Sequence, residues 1–315
     1  KTGPGTLSLT AANTFTGAVA VSTGTLRTGN AAALGSTNSG TTISSDARLD
    51  IAGSNLGAEP ITVTGDGLGN AGAIVNYGSS QQNALRFVTL SGNTTFGGIS
   101  RWDLRANPTG WLAGGNKTLT KRGPNEVWLV NLGDTALGAI TVAEGTLGFQ
   151  GTTTLGSPAS NITVNAGCTL GIYATGTNLL AKNLTLSSGL ISNASGTNSF
   201  VGPCAMTGSN AFLIATSTSL NLSGVLSGAG ALWSLSGGTL VLSGNNTYSG
   251  ATVIKAGTLV VTGLTGTNFL VVSNGAALRG TGTVRGATTV NGLFAPGTVA
   301  IGTLNVSNTL TLAGS

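Results

Sequence analysis

The carboxylates are the side chains best suited to catalysis here, because the chain contains no histidine. Among the eight Asp and Glu residues, Asp46 and Asp50 have the even spacing that places two side chains on one face of a strand. Their separation, roughly 13 Å along an extended strand, is too wide for the paired acid and nucleophile of a retaining glycosidase. We therefore predict no catalytic residue and no enzyme activity. A polysaccharide-active enzyme is kept as a less favoured alternative.

Metal and cofactor chemistry has little support in the remaining residues. Asp66 lies in the segment Gly-Asp-Gly-Leu-Gly-Asn, but a calcium-binding repeat needs its Asp several times over. Cys168 and Cys204 form no CxxC pair and have no histidine beside them, so the sequence predicts neither a metal site nor a cofactor. The two cysteines could form a disulfide if they lie one coil apart, or be two buried thiols if they lie two coils apart.

Three tryptophans and several arginines are concentrated in residues 86–128. Exposed indole rings beside guanidinium groups could form a glycan-binding platform, and the alternative is that the rings cover the core. The residues expected to contact a glycan or partner are Arg101, Trp102, Arg105, Trp111 and Trp128. Charged residues make up only 7% of the chain and the net charge is +5, so we do not predict a nucleic-acid partner.

The elements that would position these residues are short β-strands. Apolar residues alternate with Thr, Ser or Gly in segments of four to six residues, and 52 glycines separate them. Alternation with period two predicts strands, and glycine supplies the positive-φ turns between them. Helix propensity is low throughout, and no segment is apolar over the roughly 18 residues that a membrane helix needs. The sequence predicts an all-β protein without membrane insertion.

Internal repeats are the strongest pattern in the chain. Residues 5–26 (GTLSLTAANTFTGAVAVSTGTL) align without a gap with residues 238–259 (GTLVLSGNNTYSGATVIKAGTL). A weaker copy occupies residues 125–147 and has lost the Asn and the aromatic residue. Because each strand is too short to bury its Leu, Val and Ile alone, successive coils must stack in parallel. We predict a single elongated β-solenoid in three units, about 1–120, 121–236 and 237–315.

The third copy resembles the autotransporter-associated β-strand repeat of passenger domains, through Gly238, Leu240, Leu242, Asn246 and Tyr248 with the following glycines. The resemblance implies a right-handed parallel β-helix. It also implies an extracellular location at the surface of a bacterium with an outer membrane. Such repeats occur in adhesins, proteases and structural fibres, so the fold alone does not select a function.

We predict a non-catalytic structural or surface-display shaft, as part of a longer surface protein or of a fibre; a carbohydrate-binding adhesin using residues 86–128 is the alternative. The chain begins and ends in mid-pattern, and exposed strand edges pair readily with another chain. We therefore expect either that the chain is a fragment of a longer rod or that copies of it stack end to end. The residues expected to take part are Thr6, Leu7 and Leu9 at one end and Val306, Leu310 and Leu312 at the other.

Overall fold

The computed structural model describes residues 1–174 and 179–313. Contacts divide the chain into two compact units, Lys1–Ser160 and Asn161–Ser315. The described residues form short strands joined by turns and loops, with one turn of 3-10 helix at Leu68–Asn70 and no α-helix. No helix in residues 1–174 or 179–313 has the length and apolar character of a membrane span.

The strands of the first unit follow its period-two segments. They are β1 Thr6–Leu9, β2 Val19–Val21, β3 Gly24–Thr28, β4 Thr41–Ile43, β5 Ala47–Asp50, β6 Pro60–Gly65, β7 Ile74–Asn76, β8 Gln81–Leu85, β9 Phe87–Gly98, β10 Trp102–Arg105, β11 Trp111–Ala113, β12 Leu119–Lys121, β13 Glu126–Val130, β14 Ile140–Val142 and β15 Thr146–Gln150.

Strands of the second unit have the same short lengths. They are β16 Asn161–Val164, β17 Thr169–Tyr173, β18 Leu179–Leu180, β19 Asn183–Ser187, β20 Leu190–Ser195, β21 Thr197–Phe200, β22 Cys204–Thr207, β23 Ser209–Ile214, β24 Ser219–Leu222, β25 Leu226–Ser227, β26 Ala231–Ser234, β27 Thr239–Leu242, β28 Thr252–Ile254, β29 Thr258–Val261, β30 Leu270–Val272, β31 Ala277–Gly280, β32 Thr283–Val284, β33 Thr288–Val290, β34 Leu293–Pro296, β35 Asn305–Val306 and β36 Leu310–Leu312.

Parallel pairing between successive coils builds the first unit. One row of strands runs β1-β3-β5-β7-β9-β12-β14, a second runs β8-β10-β13-β15, and a third runs β2-β4-β6-β9-β11. The long strand β9 belongs to two rows, because its first half pairs with β6 and its second half with β7. Parallel strands need a crossover between them, and here the remainder of each coil provides it. The predicted parallel β-solenoid is confirmed.

The second unit is built in the same way, with rows β16-β19-β22-β25, β17-β20-β23-β26-β28-β30-β33-β36 and β18-β21-β24-β27-β29-β31-β34. Strands β24, β27 and β29 alternate between half-buried and buried side chains. Their inward leucines stack directly on one another, since Leu220 pairs with Leu240 and Leu240 with Leu259. Each leucine buried in such a row contributes about 1.5–3 kcal/mol, and only a neighbouring coil can bury it.

The sequence repeat corresponds to one coil. In the first copy, Leu7 of the Leu-x-Leu segment pairs with Leu26 of the closing Gly-Thr-Leu. In the third copy, Leu240 pairs with Leu259 in the same way. The two ends of the repeat therefore lie one above the other, and both carry a leucine at the paired position.

The aromatic residue of the first and third copies packs against a glycine of the next coil. A Cβ placed on Gly35 would lie 2.7 Å from the ring of Phe15, and one on Gly266 would lie 2.5 Å from the ring of Tyr248. Tyr248 is fully buried, and its hydroxyl lies 2.6 Å from Thr252 Oγ1. The glycine is needed at this corner because the ring occupies the space of a side chain.

Gly266→Ala is expected to lower the free energy of unfolding by about 1–3 kcal/mol, because overpacking forces a buried group to move. The new Cβ would also lie 2.6 Å from the backbone oxygen of Tyr248, which cannot turn away as a flexible side chain could. Urea denaturation followed by circular dichroism measures the change. Gly17→Ala is the matched control, since its Cβ meets no atom within 4 Å, and equal stability of the two variants would contradict the packing argument.

Candidate functional site

Strand β10 carries a buried carboxylate between two arginines. Arg101, Asp103 and Arg105 share one face of the strand because alternate residues point the same way. Asp103 is fully buried, and its Oδ1 lies 2.9 Å from Arg101 Nε while its Oδ2 lies 2.7 Å from Arg105 Nη2. Burial lowers the pKa of Arg101, but the hydrogen bond and charge of Asp103 and the charge of Glu126 outweigh it, so the pKa is raised. One carboxylate thus orients both guanidinium groups.

Trp128 lies beside this cluster on the neighbouring strand, where it pairs with Asp103. The guanidinium carbon of Arg101 is 5.4 Å from the centre of the indole ring, and Trp128 Nε1 donates to Glu126 Oε2 at 2.8 Å. The ring lies against Gly148 of β15, where a Cβ would come within 2.3 Å of it. Only 9% of Trp128 is exposed, so its ring covers the cluster and leaves little surface for a ligand.

Trp102 is not part of any exposed platform. It points into the core, is 0% exposed, and donates from Nε1 to Gly97 O at 2.9 Å. Its ring meets Phe96 edge to face at 5.1 Å between ring centres. The expectation that Trp102 contacts a ligand is therefore wrong, because the residue lies on the opposite face of β10 from Arg101 and Arg105.

Trp111 is the exposed tryptophan of the region. It is 49% exposed and packs on Phe87, with ring centres 4.3 Å apart. Phe87 pairs in register with Trp111 on one side and with Pro60 on the other, so three apolar rings follow one another across three strands. Sequence reasoning did not select Phe87, because loops of different length separate the coils and hide this register.

Arg86 precedes Phe87 and joins the same surface. Its guanidinium carbon lies 5.1 Å from the centre of the Phe87 ring. Its Nε donates to Thr109 O at 3.0 Å and its Nη2 to Thr109 Oγ1 at 3.2 Å. Arg86 has no carboxylate within ion-pair distance in the part of the chain that the structure describes.

The two cysteines are buried thiols that no disulfide joins. Cys168 precedes β17, and Cys204 begins β22 in a different row of strands. Burial raises the pKa of the Cys204 thiol to about 12, so the thiolate that a nucleophile or metal ligand needs is disfavoured. Across the described residues there is also no group of three or more His, Cys, Asp or Glu side chains arranged to hold a metal ion.

The strands expected to stack end to end are exposed. Three of the four residues of β1 are exposed, with Leu7 at 43%, and all three residues of β36 are exposed, with Leu312 at 61%. In the described structure β1 pairs with β3 and β36 with β33. Val306 in β35 is half-buried. Stacking of one copy on another stays a prediction.

Comparison with known proteins agrees with this coil architecture. The passenger-associated-transport-repeat family model matches residues 1–27 and 236–261, which contain the first and third copies of the repeat. The Adhesin BmaC autotransporter of Brucella suis biovar 1 (strain 1330) is 31% identical over 281 residues, or 85% of this chain. The chain carries the passenger-associated transport repeat. The coil bounded by Leu240 and Leu259 lies within the second segment that the family model matches.

A second relative is an extracellular serine protease of Serratia marcescens, which is 43% identical over 82 residues, or 26% of this chain. The chain spans 8% of the length of each of these two relatives. No solved structure matches the chain. The family therefore defines the kind of coil, and the function has to be argued from the residues of this chain.

Proposed function

We propose that the chain is a non-catalytic, extracellular stalk segment of a longer passenger protein at a bacterial surface. The supporting observation is that nearly all of the carboxylates form hydrogen bonds within the protein. All of them except the exposed Asp46 accept a hydrogen bond from the protein itself, namely Asp50, Glu59, Asp66, Asp103, Glu126, Asp134 and Glu144.

The individual contacts of the carboxylates are structural. Asp50 bridges to Arg27 of the preceding coil at 2.8 Å, and Glu144 accepts from the backbone nitrogen of Gly123 at 2.7 Å. The pKa of the Glu59 carboxyl is raised, because the effect of burial exceeds the lowering by a hydrogen bond from Thr41. This carboxyl is covered by the protein and accepts a hydrogen bond from the buried Thr41 hydroxyl, so it supports a structural role more than general acid catalysis.

The stalk is tested by negative-stain electron microscopy of the purified chain. We expect rods on the order of 70 Å in length, from roughly 15 coils at about 4.8 Å per coil. Filaments longer than this would support end-to-end stacking of copies through β1 and β36. In that case Leu312→Lys, which places a charge in the contact, should shorten the filaments. Compact round particles would contradict the stalk, as would product release from pectin, alginate, glucan or casein by the purified chain.

A further inference from the structure

A polar cleft opens on the first unit, at the corner where three successive coils turn. It has a volume of about 220 Å³ and is lined by Asn55, Gly57, Asn83, Arg86, Arg105 and Asn107. These residues come from the loop before β6, from β8 and the residue after it, and from the end of β10 and the following loop. No carboxylate lines this cleft, so its two guanidinium groups define a positive end.

The two arginines are held in place by backbone and side-chain contacts that leave donors available. Arg105 donates from Nε to Gln82 O at 2.9 Å and from Nη2 to Asp103. Arg86 donates from Nε and Nη2 to Thr109. A guanidinium group has five N–H donors, so each keeps donors that can bind an anion. Because the groups are already oriented, little side-chain entropy is lost when a ligand binds.

An aromatic surface continues from the charged end of the cleft. Arg86 packs over Phe87, and Phe87 packs under the exposed ring of Trp111. The cleft is smaller than an ordinary ligand pocket of about 300–1,000 Å³. It can therefore admit one charged group, while the rest of a ligand lies outside across the indole face.

We propose that this cleft binds an acidic saccharide, with its carboxylate or sulfate held by Arg86 and Arg105 and a sugar ring packed on Trp111. Planar guanidinium groups suit both anions. The carboxamides of Asn55, Asn83 and Asn107 are exposed at the cleft and can bind sugar hydroxyls. This binding site goes beyond the stalk role and does not depend on it.

The charge balance favours a saccharide over a nucleic acid. A strand of nucleic acid needs a basic groove along its backbone and a series of stacking rings. Here one carboxylate, Asp103, is shared by Arg101 and Arg105, so the cleft combines the charge of Arg86 with the remaining part of the charge of Arg105. A single anionic group beside a hydroxyl-rich ring fits this balance better than a run of phosphates.

The test is isothermal titration calorimetry of the full chain with four probes: a galacturonate oligomer, a sulfated chondroitin oligomer, a neutral cellulose oligomer and a thymidine oligonucleotide. We expect saturable binding of at least one acidic oligomer, and the pair distinguishes a carboxylate ligand from a sulfate ligand. Arg86→Gln and Trp111→Ala should each weaken that binding about tenfold, since a hydrogen bond to a charged group and a stacked ring each carry affinity.

Matched controls separate loss of the site from loss of the fold. Arg279→Gln and Phe269→Ala alter an arginine and an exposed phenylalanine elsewhere and should leave binding unchanged. Arg86→Lys should keep more affinity than Arg86→Gln, and thermal unfolding should show that every variant remains folded. The proposal is overturned if neither acidic oligomer binds or if the oligonucleotide binds as tightly. Unchanged binding in Arg86→Gln and Trp111→Ala would also overturn it; none of these results bears on the stalk.

Discussion

Replacing Trp102 by alanine is expected to lower the free energy of unfolding by about 3–5 kcal/mol, the usual cost of removing a buried tryptophan. The side chain is 0% exposed, and Phe96 loses its edge-to-face partner in the variant. Gly97 O also loses the hydrogen bond that it accepts from the indole nitrogen.

Trp111→Ala is the matched control, since it removes the same side chain from a half-exposed position. We expect it to lower the free energy of unfolding by about 0.5–1.5 kcal/mol, because the half-exposed ring loses mainly its pairing with Phe87. Urea denaturation followed by far-ultraviolet circular dichroism compares the two variants with the unmodified chain. A small loss for Trp102→Ala, or equal losses for both, would contradict the assignment of one tryptophan to the core and the other to the surface.

The burial of Trp102 was predictable from the sequence. Arg101, Asp103 and Arg105 alternate along one strand, so Trp102 between them has to point the other way. A shift of one residue exchanges the two faces of a strand, and grouping the residues by proximity in sequence overlooked that rule. The cluster around Asp103 was accessible to prediction, because only its charged residues share a face.

The stacking of successive coils was predictable from the sequence repeat. Leu7 and Leu26, like Leu240 and Leu259, are paired in the structure, and each pair lies at the two ends of one copy. Coils outside the copies have loops of different length, so the partner of a given residue lies at no fixed separation. The contact between Phe87 and Trp111 is an example, and the cleft beside it depends on the same register. Those residues are brought together by a register between coils that the sequence does not display.

Asparagine has a role in this fold that composition does not reveal. Buried asparagine amides of the second unit bond to the backbone of neighbouring coils. Asn246 Oδ1 accepts from Leu226 N at 2.9 Å, and its Nδ2 donates to Leu264 O at 2.7 Å. Asn210 makes a similar bridge, from Gly189 N to Ala231 O. One amide thereby joins the coil before it to the coil after it.

Asn246→Ala is expected to lower the free energy of unfolding by roughly 1–4 kcal/mol, because the buried N–H of Leu226 loses its partner at about 1–3 kcal/mol and the part-buried C=O of Leu264 loses one at about 1 kcal/mol. Asn246 is 0% exposed, so water cannot take over the bonds as it would at the surface. Asn274→Ala is the matched control, since Asn274 is exposed and its loss should change stability by about 0.5 kcal/mol or less.

The same denaturation experiment decides whether the amide couples the coils. In a stacked repeat, stability is the sum of each coil and its interfaces with its neighbours, and Asn246 contributes to two interfaces at once. Its loss should therefore increase hydrogen exchange at Leu226 N, which donates to the amide, together with the neighbouring amides of β25 and of residues 262–266. Increased exchange confined to one side of Asn246, or a stability equal to that of Asn274→Ala, would show that the bridge does not link the coils.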